Sequence, residues 1–78
     1  MYKERYLILM LSVNLFYDGT NPKAVEGLKS EIYDLEDIGT ADAENAKRFD
    51  RYEEADNFIK NEMPDSFEMY QIIRVTIK

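Results

Sequence analysis

Seventy-eight residues without cysteine or histidine make one small domain that has no disulfide framework and no zinc staple to lean on. A hydrophobic fraction of 45%, with six Tyr and four Phe, is too apolar for a disordered chain, so apolar packing must carry the fold. The net charge of −6 is concentrated in residues 31–68, which hold thirteen of the sixteen acids and four of the ten cations. That balance argues against a nucleic-acid binder, which needs a cationic stripe.

From Leu7 to Tyr17 every odd position is apolar (Leu7, Leu9, Leu11, Val13, Leu15, Tyr17), while the even positions are mixed. The spacing predicts one central strand over 5–17, ending at the turn cluster DGTNP. Within it LILMLSVNLF, residues 7–16, follows Lys3 and Arg5 and has the look of a signal peptide. It is too short to span a bilayer as a helix, and Tyr17-Asp18-Gly19 stands where small cleavage-site residues would be, so the expectation is a cytoplasmic strand with no membrane partner.

Asn21-Pro22 has the form of a helix cap, and Val25, Leu28, Ile32 and Leu35 follow at helical spacing. A helix over 22–38 is expected, stopped by Gly39, with a strand at SEIYDLE as the competing assignment. TADAENA then reads as a single helical turn over 41–46, capped at Thr40 or Asp42.

The stretch AENAKRFDRYEEADNFI, residues 43–59, admits two readings. Ala46, Phe49, Tyr52, Ala55 and Phe58 recur every third residue, which permits one helix over 42–62, but three-residue spacing smears side chains around a helix that turns every 3.6 residues. The preferred reading splits the segment into a short strand over 48–51 and a helix over 53–62. An apolar stripe of Ala55, Phe58 and Ile59 follows, and Asp50 and Glu53 form a capping box. Pro64 ends the helix, and the alternation of SFEMYQIIRVTIK predicts a terminal strand over 67–77.

The string DAENAKRFDRYEEADNFI followed by YQIIRVTI resembles a layout found in small proteins encoded by phages and prophages. There an Ala-x-x-Phe strand precedes a Glu-Glu-Ala helix and a terminal strand of the Tyr-x-Ile-x-x-Val kind. The resemblance covers residues 42–77, and its motifs are structural positions. It implies the split reading and a mobile-element origin, and it attaches no activity.

The expected architecture is therefore a single α+β domain over 1–78. It has two long terminal strands, a short middle strand, and two helices packed on one face of the sheet, the odd-numbered face of the terminal strands.

Little in the chain points to catalysis. Ser12, Ser30 and Ser66 have no histidine as base, three isolated glycines form no phosphate loop, and so small a domain rarely encloses a paired-carboxylate cleft. DLEDIGTADAEN resembles a calcium loop but places Ile38 at position five and Asn45 where a bidentate glutamate is required, so no metal or other cofactor is expected.

Two surfaces are candidates for a protein partner, which would be a host protein or a second copy of the chain. One is acidic: Asp42, Glu44, Asp50, Glu53, Glu54 and Asp56 belong to a row of carboxylates that at its sharpest imitates DNA phosphates and blocks a DNA-binding protein. Lys47, Arg48, Arg51 and Lys60 interrupt that row, and a plain solvated face is the bland alternative. The other is aromatic, around Tyr6 and Tyr70 on the less apolar faces of the terminal strands. The functional expectation is a non-enzymatic protein-binding accessory factor; the alternative is a structural component that assembles with its own copies.

Overall fold

The computed structural model describes residues 2–21, 35–63 and 67–77. Strand β1, Lys3–Met10, and strand β4, Tyr70–Ile77, pair antiparallel along their whole eight-residue length, from Lys3 opposite Ile77 to Met10 opposite Tyr70. On the other side of β1 lie β2, Leu15–Tyr17, and β3, Gly39–Thr40, giving an antiparallel sheet of order β3-β2-β1-β4. One α-helix is present among the described residues: α1, Tyr52–Glu62.

The first expected strand, 5–17, is two strands. Met10 pairs with Leu15, and Leu11 to Asn14 form the connecting turn, with Asn14 at φ 56°. A four-residue hairpin loop needs a left-handed residue to bring the chain back, and asparagine tolerates that conformation better than most side chains. The turn hides in the sequence because Leu11 and Val13 keep the alternation running through it. Val13 still packs against the core, whereas Leu11 is exposed.

The expected 22–38 helix falls largely outside the described residues. Its end, Leu35–Ile38, is a 3-10 turn that buries Leu35 and Ile38. From there Ile38 O accepts from Asp18 N at 2.9 Å as the chain enters β3. Gly39 sits opposite Tyr17, and a Cβ there would meet Met10 Cε at 2.8 Å and Leu15 Cβ at 3.0 Å. The glycine lets the two short strands close over the core.

Residues 43–59 adopt the split. Ala43–Asn45 is a 3-10 turn capped by Asp42, whose Oδ1 accepts from Glu44 N. The short strand expected at 48–51 shrinks to one β-bridge between Phe49 and Tyr6. The capping box is absent: the cap residue is Arg51, with no side-chain cap bond, and the Asp50 carboxylate instead meets Arg5 Nε at 3.1 Å. Met63, before Pro64, is extended (φ −83°, ψ 147°) and ends the helix. The last strand begins three residues later than expected, because Phe67–Met69 is a 3-10 turn.

Helix α1 also lies on the other side of the sheet from the one expected. The core joins Tyr6, Ile8, Met10, Tyr70 and Ile72, the even positions of β1 and β4, to Ala55, Phe58, Ile59 and Met63 of the helix. Phe58 centres the contact, 5.0 Å from the Tyr17 ring and 5.5 Å from Phe49. The odd face carries Leu7, Leu9, Ile73, Val75 and Ile77, of which Leu7 is buried and the others half-buried. No helix among the described residues is long and apolar enough to cross a membrane.

Candidate functional site

The polar surface is organised by the segment between β3 and α1. Ala46 and Phe49 are buried, and they pin this segment against the exit of β2 and the stretch of β1 around Tyr6 that β2 does not reach. Lys47 N donates to Tyr17 O at 2.9 Å, and Phe49 exchanges two 2.9 Å bonds with Tyr6. With those apolar anchors turned inward, the polar side chains of 42–54 all turn outward: Asp42, Glu44, Asn45, Lys47, Arg48, Asp50, Arg51, Glu53 and Glu54 are exposed. The result is a ridge with five carboxylates and three cations.

The carboxylates differ in how free they are. Asp42 is committed to its own turn, since Oδ1 accepts from Glu44 N at 2.9 Å and Oδ2 from the Asn45 side-chain amide at 3.1 Å. Asp50 pairs with Arg5, and Asp56, half-buried on α1, pairs with Lys60 at 2.9 Å. Glu53 and Glu54 occupy the first turn of α1, where the helix dipole favours negative charge, and both project into solvent. Glu44 is likewise exposed, at the rim of an open groove.

That groove, of about 310 Å³, has Leu7, Val75 and Ile77 for its apolar lining, with Glu44 and Arg48 beside them. A smaller one of about 200 Å³ adjoins it between Lys3, Arg5, Arg48 and Ile77. Neither was foreseen. The signal was present in the pairing of the terminal strands, which sets Lys3 opposite Ile77 and Arg5 opposite Val75 and so gathers the N-terminal cations beside the last apolar residues.

The two tyrosines separate. Tyr6 is half-buried and meets the exposed ring of Tyr52 edge-on, with centroids 6.1 Å apart and planes at 88°. Tyr70 is buried in the core, so its ring serves packing. Tyr2 is exposed beyond the start of β1.

The ionisation of Tyr17 is displaced. Burial first, then the charges of Asp18 and Glu62, push its hydroxyl up to about 12, and the hydroxyl donates to Thr20 O at 2.6 Å. It locks the turn after β2, where Gly19 takes φ 98° and Asp18 Oδ1 accepts from Thr20 N. Among the described residues, no group of three or more Asp or Glu side chains is placed to hold a metal ion.

No protein-family model matches the chain, and no significantly similar curated protein or solved structure was found.

Proposed function

We propose that this chain is a non-enzymatic protein-binding domain that presents the ridge Asp42–Glu54 to its partner. The observation that supports this is the anchoring of the ridge: buried Ala46, Phe49 and Ala55 hold it at three points, while the charged side chains between them face solvent. A surface held in this way loses little conformational entropy when a partner docks. Its charges are of mixed sign, so the partner is a protein surface of complementary pattern, with an acidic bias set by Glu44, Glu53 and Glu54.

The sharper form of the reading, an acidic surface that imitates phosphates, rests on fewer groups than the sequence offers. Asp50 and Asp56 are neutralised by Arg5 and Lys60, and Asp42 is held by its own turn. The phage or prophage origin, and a host protein as the target, rest on the sequence resemblance.

The test is capture from lysate with wild type and with a Glu44→Gln, Glu53→Gln, Glu54→Gln triple variant, at rising salt. A ridge-mediated partner is lost from the variant and from wild type at high salt, where the screening length falls to about 3 Å at 1 M. Capture that survives both leaves the carboxylates as a solvated face and refutes the proposal.

A further inference from the structure

We infer that β4 is a self-association edge, along which a second copy of this chain pairs antiparallel about a two-fold axis through Ile73. Strand β4 ends the sheet order, with β1 as its neighbour. The direction of its hydrogen bonds follows from one contact. Leu11 N donates to Met69 O at 3.0 Å, continuing the register that sets Leu9 opposite Gln71. In an antiparallel ladder, alternate residues turn their N–H and C=O groups to the same neighbour. The odd residues of β4 therefore bond to β1, and Ile72, Arg74 and Thr76 turn theirs to the outer edge, where no described strand meets them.

Edge strands are normally blunted by brevity, proline, a bulge or charge. Strand β4 is eight residues long, pairs with β1 one-to-one without a bulge, contains no proline, and carries one charge, Arg74. The Arg74 guanidinium leans toward Glu4 on β1, 4.0 Å away. The edge is thus long, regular and nearly uncharged, on a chain that has no cysteine or histidine to staple it otherwise.

Register selects the axis. An axis at Arg74 would set two guanidinium groups directly opposite each other, which is destabilising. An axis at Ile73 sets Ile72 against the second copy's Arg74 and the reverse, so their outward backbone groups bond. Ile73 then faces its own copy as a non-hydrogen-bonded pair, with Cα atoms about 4.5 Å apart. Four strands become a continuous sheet of eight. Because each copy carries a charge of −6, the dimer strengthens with salt, opposite in sign to capture by the ridge.

Sedimentation equilibrium of the full-length chain over micromolar to millimolar concentration is expected to show a dimer whose dissociation constant falls as salt rises; a monomer throughout overturns the inference. Register is tested by single cysteines, since the chain has none of its own. Under mild oxidation Ile73→Cys is expected to give a disulfide-linked dimer. Val75→Cys is expected to stay unlinked, because the two Val75 positions would lie about 14 Å apart against the roughly 7 Å a disulfide allows. Equal linking at both positions overturns the register. Should Ile73→Cys fail to fold by circular dichroism, Thr76→Pro removes an outward N–H without touching the β1 ladder. That variant is expected to be a folded monomer, and a folded dimer overturns the edge.

Discussion

The backbones of Phe49 and Tyr6 exchange two hydrogen bonds of 2.9 Å, and this single bridge carries the chain from the sheet to α1. Tyr6 turns its side chain toward Tyr52 on the helix, and Phe49 places its ring 5.5 Å from Phe58. The bridge therefore fixes both the start of α1 and the outward direction of the charged ridge. Truncating Phe49→Ala should cost about 3–5 kcal/mol, the usual price for removing a buried phenyl ring, and a thermal or urea melt measures it.

Gly39 gives a test of close packing. An alanine Cβ would sit 3.0 Å from Leu15 Cβ and Cδ1, and Leu15 Cβ is fixed to its strand. Gly39→Ala should destabilise by about 1–3 kcal/mol, as overpacking does, although β3 is a place where alanine would otherwise be preferred for its lower unfolded-state entropy. A melting temperature equal to wild type would show that β2 and β3 can separate at no cost.

Tyr17 makes stability depend on pH in the alkaline range. Its hydroxyl is pushed up to about 12 in the folded chain, against about 10 when unfolded, so the folded state holds the proton more tightly. Stability is fully present below pH 10 and is lost as pH rises toward 12, by about 2–3 kcal/mol at roughly 1.4 kcal/mol per unit. Tyr17→Phe should flatten this alkaline decline while losing about 1 kcal/mol at neutral pH, where the bond to Thr20 O is gone. Urea melts of both chains from pH 8 to 11.5 measure the two slopes.

Asn14 tests the hairpin. At φ 56° a glycine should be tolerated or mildly favourable, whereas Asn14→Val should cost about 1–2 kcal/mol because a β-branched side chain crowds the left-handed region. If the two variants melt together, the turn is not where β1 and β2 are joined.

The terminal strands, the turn at Asp42 and the apolar stripe of α1 could all be read from the sequence because each is a local pattern. The hairpin could not. Leu11 and Val13 extend the alternation across the turn, and because Met10 pairs with Leu15 the face changes parity there. Odd Leu15 and Tyr17 lie with even Ile8 and Met10, so pooling the odd positions of 5–17 mixed two faces and put the helix on the wrong side. The capping box failed for a similar reason. Asp50 has the right spacing to Glu53, but the fold brings Arg5, forty-five residues earlier in the chain, to the same carboxylate. The ridge was legible as charge, and the burial of Tyr70 was not, because that depends on which face α1 covers.

The pairing of Lys3–Met10 with Tyr70–Ile77 has a consequence for how the protein is made. Strand β1 emerges from a ribosome some sixty residues ahead of its partner β4, so the ladder between them cannot close until Ile77 has cleared the exit tunnel. Until then Leu7, Ile8 and Leu9 have no β4 beside them. Contacts this distant in sequence are slow to form, and chains waiting to form them are prone to aggregate. Helix α1 and the hairpin at Asn14 are local and can form early, whereas the docking of helix onto the paired terminal strands waits for β4. Mutations that weaken β4 should therefore lower the yield of soluble protein more than their effect on the melting temperature would suggest.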